Sequence, residues 1–206
     1  MKALFYGGAF NPPTNAHLDL SELALKKTGF DKVIFVPTKS KYILSQEGKE
    51  FSFLESERLQ MLKLLAKKRS FMEISDAELV AKEQPRTYFT MKEIQKKGYE
   101  LKLLLGSDWL HKEFVSKWLY LKEIALEFGF VVFVRNGDNV RELIEENSTL
   151  QEFKNRFFVI NPPSDYYKIS SSKVRELLTD FKKNEMAIKR MVPSEIFEYL
   201  KERKND

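Results

Sequence analysis

The chain of 206 residues contains no cysteine. That absence excludes a disulfide framework, a thiolate zinc site, an iron–sulfur cluster and a cysteine nucleophile. Histidine occurs only at His17 and His111, too few for a multi-histidine metal cage. No stretch reaches the roughly 18 consecutive apolar residues of a membrane span, and the opening apolar run is too short for a secretory leader. The expectation is a soluble cytoplasmic protein without a membrane partner. Repeats, low-complexity tracts and long linkers are also missing. What is plentiful is aromatic material, 17 Phe and 8 Tyr, enough for a core, and at this length on the order of 70% of the unfolded surface is buried. A single domain over residues 1–206 is expected. Lys and Arg number 35 against 30 Asp and Glu, a net charge of +5. This balance suits phosphorylated small molecules, whereas the basic stripe with interleaved aromatics of a nucleic-acid surface is absent.

Short apolar runs alternate with amphipathic segments. Strands are expected at 2–6, 32–36, 72–75, 101–105, 130–134 and 156–160. Most of these runs are continuous, as in Val33-Ile34-Phe35-Val36, which fits strands covered on both faces. Between them lie helical stripes. Leu20, Leu23 and Ala24 share one; Arg58, Met61, Leu62 and Leu65 another; Val174, Leu177, Leu178 and Phe181 a third. The alternation predicts an α/β fold with a doubly wound, mostly parallel sheet, and a helical C-terminal part over 163–206. Ile196, Phe197 and Leu200 at helical spacing pack either on their own domain or on a second copy, and the oligomeric state stays open. In such sheets ligands bind beyond the carboxyl ends of the strands.

Two helix starts carry the chemistry. After the first strand comes Gly7-Gly8-Ala9-Phe10-Asn11-Pro12-Pro13-Thr14-Asn15-Ala16-His17. Its paired glycines permit a sharp turn and close approach of a ligand, and its prolines stiffen the return. Asn15 or Thr14 caps the helix that follows. Either choice puts His17 in the first turn, where free N–H groups and the helix dipole favour an anion. Neither G-x-G-x-x-G nor G-x-x-x-x-G-K-[ST] occurs. Far along the chain, Ile169-Ser170-Ser171-Ser172-Lys173-Val174-Arg175 opens another helix. Its hydroxyls, free N–H groups, Lys173 and Arg175 offer a second anion site, with Arg175 able to grip phosphate oxygens bidentately.

The first segment resembles the GG-x-F-(D/N)-P-x-(H/T)-x-G-H signature of the nucleotidylyltransferase superfamily, and the second resembles its I-S-S-(T/S)-x-x-R partner. Within that superfamily the whole chain is most similar to bacterial nicotinate-nucleotide adenylyltransferases. Leu105-Gly106-Ser107-Asp108 looks like the family's G-x-D, Glu57-Arg58-Leu59-Gln60-Met61-Leu62 like its E-R-x-x-M-L helix, and Thr87-Tyr88 and Trp118 stand where residues facing the pyridine ring are found. The resemblance implies a Rossmann-like fold and transfer of AMP from ATP to nicotinate mononucleotide, with magnesium assisting. It implies ATP contacts at Gly7, Gly8, Ala9, Phe10, His17, Gly106, Asp108, Ile169, Ser170, Ser171, Ser172 and Arg175. It implies acceptor contacts at Asn11, Lys39 or Lys41, Thr87, Tyr88, Asp108, Trp118 and Arg135. Ligands for the metal are not read from the sequence. Departures from the pattern are Thr14 for histidine, Ala16 for glycine, Asn11 for aspartate, Asn136 for proline, and a shortened stretch after Tyr88.

In-line attack on the α-phosphate requires positioning and charge stabilisation more than covalent chemistry. His17 and Thr14 are expected to donate to the α-phosphate, Arg175 to hold the departing phosphates, and no covalent enzyme intermediate to form. Phosphopantetheine adenylyl transfer, an RNA-binding module and a silent nucleotide sensor are the rival readings. Nicotinate against nicotinamide preference is left undecided. His111 has no partner visible in the sequence and is expected at the surface.

Overall fold

The computed structural model describes residues 1–47 and 53–205. Six strands form one sheet: β1 (Lys2–Gly8), β2 (Lys32–Pro37), β3 (Met72–Ile74), β4 (Glu100–Gly106), β5 (Phe130–Phe133) and β6 (Phe157–Ile160). Their order is β3-β2-β1-β4-β5-β6, and every pairing is parallel. The chain therefore winds outward from β1 one way and returns to its other side through β4. The crevice at the carboxyl ends of β1 and β4 is the topological switch point.

Helices cover both faces: α1 (Asn15–Thr28), α2 (Ser40–Glu47), α3 (Glu55–Ala66), α4 (Ala77–Val80), α5 (Thr87–Gln95), α6 (Lys112–Val115), α7 (Leu121–Glu127), α8 (Val140–Glu145), α9 (Ser148–Glu152), α10 (Ser171–Leu178), α11 (Phe181–Met191) and α12 (Ser194–Asn205). Alternate side chains of each strand enter different cores, which explains why the apolar runs are continuous. Ala3, Phe5, Leu103, Leu105 and Val132 meet Met91, Ile124, Val140 and Ile144 on one face. Leu4, Phe35, Leu104 and Val131 meet Leu18, Met61, Leu65 and Val174 on the other. Ile188, Val192, Ile196, Phe197 and Leu200 are buried in that second core, so the C-terminal helices lie on their own sheet. The edge strand β6 leaves Phe158 and Val159 exposed. Among the described residues no helix is long and apolar enough to cross a membrane.

Candidate active site

The strand β1 ends in Gly7 and Gly8, and the chain then doubles back through Phe10, whose φ of 47° lies in the left-handed region. Such a conformation is uncommon for a bulky residue and marks a turn held by its surroundings. It tucks the Phe10 ring into the core, close enough that a Cβ on Gly8 would lie 3.3 Å from it. Of the two possible caps for α1, Thr14 takes the position, and Asn15 instead donates from Nδ2 to the Arg190 carbonyl at 3.0 Å.

His17 occupies the third helical position, where a capping box places Glu or Gln. The Thr14 backbone N–H donates to its Nδ1 at 3.0 Å, and Thr14 Oγ1 lies 2.7 Å from the same nitrogen. Because Nδ1 accepts, the neutral ring carries its proton on Nε2. Burial, helped by the Arg135 charge, lowers the His17 pKa to about 4, so the neutral form prevails near pH 7. The ring is a fixed N–H donor. The expected place of the Thr14 hydroxyl on a phosphate oxyanion differs from its observed place: Thr14 is fully buried and its hydroxyl faces His17.

The second helix start closes on the first. Ser170 caps α10 by accepting from the Lys173 N–H, Ser171 Oγ donates to the Pro12 carbonyl at 2.8 Å, and Arg175 Nη1 donates to the Asn11 carbonyl at 2.9 Å. Arg175 Nη2 also reaches Ser172 Oγ at 3.1 Å, leaving guanidinium N–H groups for a ligand. Burial lowers the Arg175 pKa, though it stays a cation. Neither α1 nor α10 has an acidic residue in its first turn, so the positive ends of both dipoles remain available to an anion. Ile169 donates its N–H to the Tyr166 carbonyl just before the cap. Lys173 is turned away, paired with Glu176 at 2.8 Å.

Beneath the loop lies Arg58, fully buried. Its guanidinium donates to the carbonyls of Ala9 at 2.5 Å and Thr38 at 2.8 Å and to Ser40 Oγ at 3.1 Å. Burial lowers its pKa to about 10. It ties the loop after β1 to the loop after β2 and sets a positive charge under both. The sequence carries a signal for it: Arg58 falls on the apolar stripe of Met61, Leu62 and Leu65, where a solvated arginine has no business.

At the ends of β4 and β5, Asp108 and Arg135 form an ion pair at 3.3 Å across Gly106. A Cβ on Gly106 would lie 2.3 Å from Asp108 Oδ1 and 2.5 Å from Arg135 Cδ. Glycine is therefore what admits the pair over the strand. Both side chains are substantially exposed, so the pair is weakly held and open to exchange with a charged ligand. Buried Ser107 fixes the neighbourhood by accepting the Arg135 N–H at 2.8 Å and donating to Asp138 Oδ2 at 2.6 Å. His111 does have a partner after all, Asp138 Oδ2 at 3.2 Å, and it sits partly exposed.

The other residues expected to contact the acceptor face scaffold neighbours. Lys39 Nζ donates to the Leu79 carbonyl at 2.6 Å, and its backbone N–H to Gln84 Oε1, while Lys41 is exposed on α2. Thr87 opens α5, and Tyr88 donates to Glu127 at 2.5 Å and stacks on Tyr120 at 5.6 Å. Trp118 packs against Phe130 and Trp109, each 6.0 Å away, and lines an open cleft with Leu119, Tyr120 and Asn147. Buried Glu78 joins this region, accepting from Gln84 at 2.6 Å and Thr90 at 3.2 Å; burial raises its pKa. Among the described residues no group of three or more His, Asp or Glu is disposed to hold a metal ion.

A parallel sheet in this order, with two helix starts bonded together over its switch point, defines an α/β nucleotide-binding protein. Residues 5–177 match the family model described as cytidylyltransferase-like. A Clostridium acetobutylicum protein named "Probable nicotinate-nucleotide adenylyltransferase" is 30% identical over 98% of both chains. A Fusobacterium nucleatum protein of the same name is 31% identical over 85% of this chain and 86% of its own. The structure of Plasmodium falciparum nicotinic acid mononucleotide adenylyltransferase complexed with NaAD superposes with a TM-score of 0.75 at 22% identity, covering 98% of this chain and 96% of that one; this is a likeness of fold. The chain belongs to the cytidylyltransferase-like family, among the nicotinate-nucleotide adenylyltransferases.

Proposed function

We propose that the chain transfers AMP from ATP to nicotinate mononucleotide in the cytoplasm, giving deamido-NAD and pyrophosphate, with residues 1–206 acting as one unit. A phosphate oxygen of the mononucleotide attacks the α-phosphorus in line. The bond from that phosphorus to the oxygen bridging the β-phosphate breaks, and pyrophosphate leaves. The observation that carries this reading is the junction of the two helix starts through Ser171 and Pro12 and through Arg175 and Asn11. It brings two dipole ends and a guanidinium to one cleft, which suits a triphosphate.

His17 donates from Nε2 to the α-phosphate as charge builds there, and Thr14 holds its ring in the required tautomer. Arg175 holds the β- and γ-phosphates through its unspent N–H groups. Gly7, Gly8, Ala9 and Phe10 bring backbone close to the nucleotide, Ile169 to Ser172 complete the donor side, and Asn11 serves the acceptor. Asp108 accepts from ribose hydroxyls, while Arg135 exchanges its partner for an acceptor anion. Lys41 is the better placed of the two lysines to meet a phosphate, because the Lys39 ammonium is engaged by a carbonyl. Thr87, Tyr88 and Trp118 form the wall toward the pyridine ring. Among the described residues no carboxylate or histidine cluster is built to hold magnesium, so the ion would be carried on the ATP phosphates and would supply charge neutralisation there. With attack passing directly between substrates, no covalent enzyme intermediate forms.

The test is an acceptor panel: enzyme and magnesium ATP with nicotinate mononucleotide, nicotinamide mononucleotide or phosphopantetheine, scored by pyrophosphate release. Release is expected with the pyridine mononucleotides and fastest with nicotinate mononucleotide. Release with phosphopantetheine alone, or with none of the three, overturns the reading.

A further inference from the structure

Tyr6 stands near the end of β1, and its side chain shares a face with Leu4 and Phe35. The ring is edge-on to Phe10 at 5.4 Å and lies 5.4 Å from Phe35 and 6.1 Å from the ring of His17. On the adjacent strand, Leu104 belongs to the same core, so Gly106, two residues on, faces the same side. There the missing side chain leaves space that Asp108 and Arg135 fill. The phenol thus rises between the proposed α-phosphate donor on one side and the ion pair on the other.

Its hydroxyl makes no hydrogen bond to any described residue. The ring is half-buried while the hydroxyl stays open to solvent at the end of the strand, the amphipathic placement that lets a tyrosine present its polar end to a ligand. The aromatic packing engages only the ring, so the hydroxyl is free to exchange water for a ligand oxygen. Burial, together with Asp108 and against the pull of Arg135, raises the phenol's pKa to about 12. It is therefore a neutral donor across the physiological range.

We propose that the Tyr6 hydroxyl donates a hydrogen bond to the phosphoryl group in transfer, from the side of Asp108 and Arg135, as a second neutral donor beside His17. The inference rests on the adenylyl-transfer reading above. Two uncharged donors on one strand–loop–helix unit would share the charge that builds on that phosphoryl group, with no proton moved to or from the protein.

The test is Tyr6→Phe, which keeps the ring and deletes one oxygen. The expected result is a kcat lowered about tenfold or more, less than the 10²–10³ seen for loss of a principal oxyanion donor because His17 remains. KM for ATP and for nicotinate mononucleotide should stay within about twofold, a split that marks an interaction made in the transition state. The reverse reaction, dinucleotide plus pyrophosphate, should slow by the same factor, and the ratio of wild type to variant should not change between pH 6 and 9. Thermal unfolding should be unchanged. Wild-type kcat in the variant overturns the proposal; so does a raised mononucleotide KM with kcat intact, and so does a fall in unfolding temperature that accounts for the lost activity. Should the wild-type enzyme itself fail with every pyridine mononucleotide, the underlying reading falls first and takes this one with it.

Discussion

On the side proposed for the donor, bonds spanning 159 and 164 residues of chain lock the 7–17 loop to α10, and Ser171, Arg175 and His17 each have a defined partner there. On the side proposed for the acceptor, Lys39, Tyr88 and Trp118 are each engaged with scaffold groups: a carbonyl, a carboxylate and two rings. The first half is preorganised for one polyanion. The second presents the exposed Asp108–Arg135 pair and an aromatic wall, and on the proposed reading an acceptor would meet it by displacing existing contacts. The contrast fits the reaction, in which the charge to be stabilised builds on the donor's phosphate, where reorganisation during the chemical step would be most costly.

The strongest way to break the comparison is His17→Ala. Turnover is expected to fall by roughly 10²–10³ with ATP affinity changed much less, because the lost interaction belongs to the transition state. Steady-state kinetics check it, and near-normal kcat removes His17 from the mechanism. The same residue leaves an acid signature. Its pKa of about 4 lies below the ordinary histidine value of about 6.5, so the unfolded chain binds more protons between those pH values and stability rises with pH there. The contribution of neutral His17 is complete above pH 6.5 and is lost as pH falls toward 4. Thermal melts at pH 5 and pH 7 should show the wild type losing more on acidification than His17→Ala.

Arg58→Met comes next. It removes a buried guanidinium that satisfies the Ala9 and Thr38 carbonyls, and unpaired buried acceptors cost about 1–3 kcal/mol each. A stability loss of about 3 kcal/mol is expected by denaturant titration, with Arg58→Lys intermediate because one ammonium cannot span both loops. An unchanged midpoint would mean that the loops need no such tie. The smallest effect is reserved for the acceptor wall. Tyr88→Phe deletes a hydroxyl already given to Glu127, so KM for nicotinate mononucleotide should not move. A severalfold rise would mean that Tyr88 leaves Glu127 for the substrate, and that the acceptor half reorganises more deeply than its contacts indicate.

What could be read in advance follows the same division. Strands β1, β2 and β5 announce themselves as continuous apolar runs, since burial on both faces leaves an unbroken signal, whereas the edge strands give a weaker one: β3 carries Glu73, and β6 is apolar though Phe158 and Val159 are exposed. The two helix starts are legible because glycines, prolines, caps and charges lie close together in sequence and each has a local reason to be there. Arg58 was half legible: an arginine on an apolar stripe is visible, its three acceptors from two other loops are not. The Ser107–Asp138–His111 network and the Tyr6 hydroxyl were beyond reach, because their meaning lies in what three strands bring together at the sheet's end. The Thr14 hydroxyl shows the limit from the other side. Its type and position were plain, yet whether it faces ligand or histidine depends on a ring rotation that no sequence spacing fixes.

The proposed mechanism needs one cleft to receive the triphosphate from both helix starts. The most direct measurement is calorimetric binding of a non-hydrolysable ATP analogue to wild type, Arg175→Ala and Arg175→Lys. Affinity is expected to be at least tenfold weaker for the alanine variant and partly restored by lysine, which keeps the charge but not the planar fork. Equal affinity in all three proteins would contradict it, because α10 would then lie outside the site that holds ATP.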